Sequence, residues 1–343
     1  MSARRLISLL FCGVAAFSAC SLVDEDLSDC GTSVRLAYEL RLVTNFSTEM
    51  EKELPASDDA ALKDALNKQL GGVFSDFGHD LNLSFYSAEA GGRLLLHESH
   101  VMDAVWSEYT VLMNKRPYRH IVVANVENNL RAFRSGTGTP ASYVLELPEA
   151  DTVGSQKTGL YCARAEVDLT SGRDRFLIPL YIANCAEAIV IDTLGSGVRS
   201  LEVCLTGFAD GFSVSDSVFR FASPRIVRTE PVRFDDGTGR VCFAGVNFPS
   251  KDTRPTRSVL DGEDAFVSPD AENVLWQFRI YATTADGSVT KTVLGMMKPQ
   301  RAGQFKIVKS KLSPGGAVDP EDVSVGVSVT LNWNKGIGGD IEL

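Results

Sequence analysis

One cysteine near the start of the chain lies in a sequence that predicts covalent attachment of lipid. Arg4 and Arg5 form a positive region, residues 6–17 are apolar, and a small-residue cleavage site, Phe17-Ser18-Ala19-Cys20, follows. Cleavage before Cys20 would make it the first residue of the mature chain. Each buried methylene contributes about 0.8 kcal/mol, so two or more acyl chains on one cysteine would hold the protein stably on a membrane. Lipid attachment at Cys20 is therefore the first predicted site.

The apolar stretch is too short to be the anchor itself. It contains about a dozen residues, whereas a membrane-spanning helix needs roughly 20, and no later stretch is long and uncharged enough. The alternative is an ordinary secretory signal that is cleaved after Ala19 and leaves Cys20 as a free thiol. The pattern predicts a signal peptide over residues 1–19 and an acidic tether over residues 20–32.

Residues that could bind a metal or carry out catalysis are few. His97-Glu98-Ser99-His100 differs from the H-E-x-x-H zinc helix, because its histidines are three apart and follow an apolar, strand-like run. Asp235-Asp236-Gly237-Thr238-Gly239 lacks the spaced oxygens of an EF-hand and is predicted to be a hairpin turn. Neither a G-x-S-x-G elbow nor a P-loop occurs, and the chain has just four histidines. We predict no catalytic residues, no metal site, no cofactor and no enzymatic activity.

The remaining cysteines are expected to be buried side chains, not redox or zinc-binding residues. Besides Cys20, the mature chain would contain Cys30, Cys162, Cys185, Cys204 and Cys242. An oxidising export compartment permits a disulfide, but no pair has the C-x-x-C spacing of a redox motif or a zinc knuckle. We expect these cysteines to be buried as small apolar side chains.

Charge and length restrict the partners and the domain count. The formal net charge is −10, and without residues 1–19 it becomes −12, from 32 basic and 44 acidic residues. So acidic a chain is not expected to bind nucleic acid. Its length exceeds what a single hydrophobic core usually serves, so we expect two domains.

Alternating apolar residues predict β-strands along most of the chain. The clearest runs are residues 33–43 and 323–333, in which every second residue is apolar. Turn residues at Ala90-Gly91-Gly92, at 235–239 and at Asp286-Gly287 predict paired strands. One segment, Ala56 to Leu70, favours a helix, with Ser57 as its N-cap. These patterns predict an all-β protein built of β-sandwiches with one inserted helix.

A polar turn at Ser171-Gly172-Arg173-Asp174 predicts the domain boundary. It separates one strand-like run from a second, FLIPLYIANCAEAIVI, in which we place the first strand of the second domain. The predicted units are an N-terminal sandwich over residues 33–173 and a C-terminal sandwich over residues 174–343.

Several islands of the chain resemble the FimB/Mfa-like fimbrial anchor family of Bacteroidales lipoproteins. The first joins the lipid signal to the acidic residues 23–30 and the strand VRLAYEL. The second is residues 106–126, WSEYTVLMNKRPYRHIVVANV, and the third is the closing segment VSVTLNWNKGIGGDIEL. The segment from about Phe46 to Gly72 departs from the family pattern and looks like an insertion after the first strand, whose role the sequence leaves open.

The resemblance implies two tandem transthyretin-like β-sandwich domains and an outer-membrane lipid anchor at Cys20. It also implies a surface-exposed protein at the base of a fimbrium, whose partners are fimbrillin subunits and which helps to set the length of the polymer. Asp24, Glu25 and Asp26 resemble a surface-export signal, and a plain solvated tether would look the same.

In that family a strand of one subunit completes the sheet of another, so main-chain hydrogen bonds supply affinity. The terminal strands, 33–43 and 323–333, are the best candidate edges for such pairing, but the stronger interpretation is that both are internal strands that pack against their own core. Two other functions remain open. An accessory or tip fimbrillin with an adhesive role shares the fold. A surface glycan-binding lipoprotein would need an exposed aromatic platform, for which Trp106, Trp276 and Trp333 are the available tryptophans.

Overall fold

The structure is a computed structural model. It describes residues 33–55, 59–75, 80–89, 92–101, 106–126, 131–133, 143–193, 197–222, 225–234, 237–251, 274–321 and 326–332. In chain order the described elements are β1 (Ser33–Val43), α1 (Phe46–Glu53), α2 (Ala60–Ser75), β2 (Leu81–Ser87), β3 (Leu94–His100), β4 (Trp106–Asn114), β5 (Pro117–Ala124), β6 (Arg131–Phe133), β7 (Val144–Glu146), β8 (Thr152–Gly154), β9 (Tyr161–Asp168), β10 (Arg175–Ile182), β11 (Cys185–Asp192), β12 (Val198–Thr206), β13 (Gly211–Ser213), β14 (Val218–Arg220), β15 (Ile226–Arg228), β16 (Glu230–Val232), β17 (Arg240–Asn247), β18 (Trp276–Thr284), β19 (Val289–Met296), β20 (Phe305–Leu312), β21 (Val318–Pro320) and β22 (Gly326–Asn332).

The burial of side chains along β1 follows the alternation of apolar and polar residues that predicted this strand. Leu36, Leu40 and Leu42 are buried, whereas Arg35 and Arg41 are exposed on the opposite face. β1 pairs with β4 in antiparallel and with β10 in parallel orientation. It therefore lies inside its sheet, with a neighbour on each side.

The first sheet contains seven strands in the order β3-β2-β5-β9-β10-β1-β4 and turns over at one corner. At this corner, β9 and β10 pair only through Tyr161–Ile182 and Cys162–Tyr181, whereas β9 pairs with β5 from end to end. The strands on either side of this corner therefore form two layers.

The two end strands of this sheet, β3 and β4, come together through their side chains. The rings of His100 on β3 and Tyr109 on β4 lie 4.8 Å apart. Side chains from both layers form one buried cluster, which includes Leu36, Leu40, Leu83, Phe85, Val111, Val122, Ile178 and Leu180. This first sandwich places β3-β2-β5-β9 against β10-β1-β4.

The second sandwich pairs a five-stranded sheet, β16-β17-β11-β20-β21, with a six-stranded sheet, β22-β19-β18-β12-β15-β8. β18 alternates as predicted, with Trp276, Phe278 and Ile280 buried. Its hairpin to β19 turns through Gly287, whose φ of 86° is a left-handed value that favours glycine. The shared core includes Ile189, Ile191, Val203, Leu205, Phe278, Leu294 and Val308. The predicted all-β fold, with two β-sandwiches and a helical insertion in the first, is confirmed.

The two halves of the chain exchange strands. β8 from the first half pairs in parallel with β15 of the six-stranded sheet. In the other direction, β13 and β14 from the second half join β6 and β7 in a four-stranded sheet, in the order β14-β13-β7-β6. The sandwiches are thus connected by shared sheets as well as by the chain.

The strand pairing bears on where the halves divide. β10, which begins at Arg175, is hydrogen-bonded within the first sheet, and β11, which begins at Cys185, belongs to the second sandwich. We propose that the division lies at residues 183–184, on the C-terminal side of β10 rather than before residue 174.

The helical insertion contains two helices, where the sequence predicted one. α2 begins at Ala60, and the N–H of Leu62 donates to Oδ1 of Asp59 at 3.2 Å, so Asp59 supplies the cap. Ser57, the predicted N-cap, precedes this start and lies outside the described residues. α1 was not predicted, because its eight residues form only about two turns, which is too short for a helical repeat of apolar residues to be recognised.

Candidate functional site

Cys20, the predicted lipid-attachment residue, lies outside the described residues, which begin at Ser33. Asp24, Glu25 and Asp26 do so as well. Neither helix in the described part of the chain has the length and apolarity that crossing a membrane requires. Lipid attachment at Cys20 stays a prediction from the sequence.

The paired histidines do not form a common site, because β3 is a strand. Residues three apart on a strand point to opposite faces. Nδ1 of His97 lies 3.0 Å from Oγ of Ser84, whereas Nε2 of His100 lies 3.0 Å from Oε2 of Glu98. Within the described ranges, no three His, Cys, Asp or Glu side chains are grouped closely enough to hold a metal ion.

His120 is a core side chain. Its ring stacks on that of Phe85, with 3.9 Å between centroids, and Nδ1 lies 3.1 Å from the carbonyl oxygen of Ser84. Burial lowers the pKa of His120 to about 4, and the hydrogen bond to Ser84 offsets this only in part. His120 is therefore neutral at physiological pH.

The cysteines of the described region are buried thiols, as the sequence predicted. Cys162, Cys185, Cys204 and Cys242 are all buried and unpaired in disulfides, and Cys30 lies outside the described residues. Burial raises the pKa of each thiol, to about 11 for Cys204 and about 12 for Cys242. Such thiols are poor nucleophiles, because reactivity needs the thiolate.

Trp276 cannot act as a platform for a sugar ring. It is 2% exposed, its ring lies 5.4 Å from that of Phe208, and its Nε1–H donates to the carbonyl oxygen of Lys298 at 3.0 Å. The side chain of Trp106 and the whole of Trp333 lie outside the described residues.

The terminal strands occupy different positions. β1 has a partner on each side and offers no open edge. β22, the described part of the predicted strand 323–333, pairs with β19 and lies at the edge of its sheet. β1 is thus an internal strand, in line with the stronger of the two interpretations, because β10 returns to pair with it in parallel. Among the described strands β22 has β19 as its one neighbour.

A groove lies at the corner where β9 and β10 separate, and we call it the corner groove. Its volume is about 400 Å³. Its walls are residues 162–165 of β9, the outward residues of β10, and the hairpin β13–β14. The apolar side chains that line it include Leu177, Pro179, Tyr181, Phe212, Val214 and Phe219.

The corner groove is bordered by strand edges. After Cys162, β9 pairs with β5 alone, and before Tyr181, β10 pairs with β1 alone. Arg164, which is exposed, donates from Nη1 to the carbonyl oxygen of Ser215 at 2.7 Å. Among the described residues no carboxylate lies within ion-pair distance of Arg164. The sequence did not reveal this groove, because alternation does not show where strand pairing stops.

The helical insertion joins the two sandwiches. The ring of Phe46 stacks on Phe74 at 4.3 Å and meets the edge of Phe305 on β20 at 5.8 Å. Oε2 of Glu53 accepts hydrogen bonds from Nζ of Lys306 at 3.1 Å and from the N–H of Ile307 at 3.3 Å.

A second polar link lies at the start of α2, where Arg240 on β17 pairs with Asp59. These polar contacts flank an apolar cluster that includes residues of both halves, among them Leu62, Leu66, Phe74, Ala186, Ala188 and Ile307. The insertion, whose role the sequence left open, therefore covers the outer face of the five-stranded sheet.

No family model matches the sequence, and no curated protein matches it. Several solved structures align with this chain. The fimbrial anchor protein Mfa2 from Porphyromonas gingivalis aligns at 11% identity and a TM-score of 0.44, covering 88% of this chain and 98% of that chain. The tip fimbrial protein Mfa3 from the same organism, truncated at its C-terminus, aligns at 12% identity and a TM-score of 0.41, covering 88% and 100%.

A third solved structure, of a candidate adhesin from Bacteroides ovatus, aligns at 12% identity and a TM-score of 0.49, covering 93% of this chain and 99% of that chain.

Proposed function

We propose that this protein is a lipid-anchored fimbrial anchor subunit, which attaches a fimbrillin polymer to the outer membrane and limits its length. The observation that carries the proposal is the order of features at the start of the chain. A signal ending in Phe17-Ser18-Ala19-Cys20 is followed by the acidic tether and then directly by β1. Lipid at Cys20 would hold the first sandwich near the membrane and leave the second to face outward.

The junction between the sandwiches suits a subunit that resists pulling. A polymer under shear applies tension along the chain, and a freely hinged joint would extend first. Here the joint has a buried aromatic contact between Phe46 and Phe305 and hydrogen bonds from Lys306 and Ile307 to Glu53. Shared strands cross it in both directions. These contacts support a role in which both halves move as one body.

The accessory or tip fimbrillin is the competing function, and its position in the polymer would distinguish it. An anchor lies at the base and needs its lipid to retain the polymer, whereas a tip subunit lies at the far end and does not. For a glycan-binding lipoprotein, the burial of Trp276 removes one of three candidate platforms.

The test compares affinity capture from the native membrane fraction for three forms of the protein. These are the intact protein, Cys20→Ala, and the matched control Cys12→Ala, which changes a cysteine within the apolar signal region and leaves Cys20 in place. Mass spectrometry of the amino-terminal peptide shows whether Cys20 carries acyl chains, and electron microscopy measures fimbrial length.

The anchor proposal predicts that intact protein and Cys12→Ala retain a ladder of fimbrillin in the membrane fraction. Cys20→Ala should release the protein into the medium with fimbriae attached, and cells that lack the protein should make longer, shed fimbriae. Membrane-bound protein without any polymer would contradict the proposal. Retention of cell-bound fimbriae by Cys20→Ala would favour an accessory position instead.

A further inference from the structure

We propose that the corner groove binds a small amphipathic carboxylate, a molecule with an apolar body and one carboxylate group that pairs with Arg164. Every observation behind this site belongs to the groove itself. The site therefore stands or fails independently of the anchor function.

The groove exists because the two strands that form it separate. Cys162 and Tyr181 are the last paired residues on their common face of the sheet. Two residues further along each strand, on the same face, lie Arg164 and Pro179, which are not paired. A proline has no N–H to donate, so Pro179 cannot continue the ladder toward β9. The wedge between the strands is thus unsuited to a further strand and leaves room for a smaller molecule.

One wall of the groove exposes a row of apolar side chains. Leu177 is 57% and Tyr181 is 58% exposed, and Pro179 lies between them on the outward face of β10. At about 3.3 Å per residue, this row extends over roughly 13 Å. Single exposed apolar residues are common on protein surfaces, but a contiguous apolar surface is typical of an interaction site.

The opposite wall is fixed by packing. The rings of Phe212 and Phe219 stack with 4.5 Å between centroids, and Phe219 lies 5.8 Å from Phe248. β13, which contains Phe212, also pairs with β7. A wall that is already packed does not have to be ordered by a ligand, which reduces the entropic cost of binding.

The size of the groove selects a small molecule. Its volume of about 400 Å³ lies within the usual range for sites that bind small ligands. Such sites combine mostly apolar walls with a small number of placed polar groups. The corner groove has this composition, with Arg164 as its charged group.

Arg164 is held in place and keeps donors for a ligand. Its Nη1 donates to the carbonyl oxygen of Ser215 at 2.7 Å, which leaves most of its N–H groups for another acceptor. The carboxylate of Asp216, in the same turn, accepts a hydrogen bond from Oγ of Ser213 at 3.0 Å. No described carboxylate lies within ion-pair distance of Arg164.

A guanidinium beside an apolar groove selects a carboxylate on the ligand. The planar fork of arginine matches the two oxygens of a carboxylate, with which it forms parallel hydrogen bonds. A single cation also matches the single charge of a carboxylate, whereas a phosphate monoester carries close to two charges at pH 7. Along the register of β9 and β10, Arg164 lies across the wedge from Pro179, in the middle of the apolar row. A ligand held by Arg164 therefore has apolar surface on either side.

The experiment measures the dissociation constants of three probes by ligand-detected NMR. The protein is the full mature chain, residues 20–343, with Cys20→Ala, so that it carries no lipid of its own and needs no detergent. Decanoate has an acyl body, 2-naphthoate has an aromatic body, and decanol has the chain of decanoate without its carboxylate. Decanoate should bind at least about tenfold more tightly than decanol, because hydrogen bonds to charged groups are the stronger ones.

Substitutions separate the charged contact from the apolar one. Arg164→Gln should weaken decanoate at least about tenfold and change decanol less than about twofold. Leu177→Ser should weaken both. Arg199→Gln on β12 and Leu112→Ser on β4 are the matched controls, because both residues are exposed and lie outside the groove. Neither control should change the binding of any probe, and unchanged circular dichroism verifies that all four variants fold.

The relative affinities of the two acids identify the body of the ligand. Tighter binding of decanoate would assign a fatty-acyl body that follows the row on β10, and tighter binding of 2-naphthoate would assign an aromatic body that packs against Phe219. Absence of saturable binding by either acid would overturn the assignment. Equal affinity of decanoate for the wild type and Arg164→Gln would also overturn it, because the groove would then bind apolar molecules without recognising a carboxylate.

Discussion

A carboxyl group in the core of the second sandwich is the most unusual single residue of the protein. Glu187 on β11 is fully buried, and its Oε2 accepts a hydrogen bond from Nδ2 of Asn247 at 2.6 Å. Burial raises the pKa of Glu187 to about 8, and hydrogen bonds from Cys185 and Asn247 lower it only in part. The folded protein therefore keeps a proton that the unfolded chain releases at a pH near 4.5. Stability should fall as the pH rises between these two values.

Glu187→Gln should remove this pH dependence. Glutamine keeps an acceptor for Asn247 and has no proton to lose in this range. From about pH 5 to about pH 7.5 the wild type should lose roughly 3 kcal/mol more free energy of unfolding than the variant, at about 1.36 kcal/mol per pKa unit. Denaturant unfolding at both pH values measures the difference. Glu166→Gln, on an exposed position of β9, is the control and should keep the wild-type slope. Parallel slopes for wild type and Glu187→Gln would rule out the raised pKa.

At the scale of elements, the turn before β20 tests how closely the helical insertion approaches the second half. Gly303 has a φ of 78°, and a Cβ built there would lie 2.4 Å from Oδ1 of Asn45, just before α1. Gly287 has a similar φ of 86° with nothing within 4 Å of such a Cβ. The two glycines share a left-handed backbone conformation and differ in what an added Cβ would contact.

Alanine at these two glycines should therefore have unequal costs. Gly287→Ala should cost roughly 1 kcal/mol, the penalty of a left-handed conformation for a residue with a Cβ. Gly303→Ala should cost about 1 kcal/mol more, because the added methyl group displaces the amide end of the Asn45 side chain. Thermal unfolding of both variants measures the gap. Equal losses would mean that the Asn45 side chain moves aside at no cost.

The sequence predicted the elements whose periods are long and clean. β1 and β18 alternate over nine or more residues, and Asp286-Gly287 indicates the hairpin between β18 and β19. The three-residue strands, such as β8 and β13, are too short to show a period, and β11 is buried along nearly its whole length. The described helix begins later than predicted, because Ser57 and Asp59 both suit an N-cap and the residue types alone do not choose between them.

The candidate site was harder to predict than the fold, for a physical reason. The corner groove combines Arg164 on β9, Leu177 on β10 and Phe219 on β14, which meet only through sheet pairing. Its existence depends on β9 and β10 separating after two residue pairs. Residue types predict which side of a strand is apolar. They do not show that β10 pairs in parallel with β1, because these strands are far apart in the chain and meet only in the folded protein.

At the scale of the whole molecule, the exchanged strands predict that the halves fold together. Residues 20–182 alone would lack β13, which pairs with β7, and would expose the apolar side of α1 that covers Phe305. Residues 183–343 alone would lack β8, which pairs with β15, and would expose the outer face of the five-stranded sheet. Each fragment would thus lose sheet partners and uncover buried apolar surface at once.

Co-expression of the two fragments provides the measurement. Each fragment made alone should aggregate or be digested by protease, and the two made together should co-purify as one complex that unfolds in a single transition. The full chain should likewise unfold in one transition. A soluble fragment 20–182 that unfolds cooperatively by itself would contradict this expectation. It would mean that the first sandwich is a self-sufficient domain, and that the helices merely dock on a partner instead of completing a common core. Under tension such a protein would yield at the junction first, which would also weaken the case for an anchor that transmits force through both sandwiches.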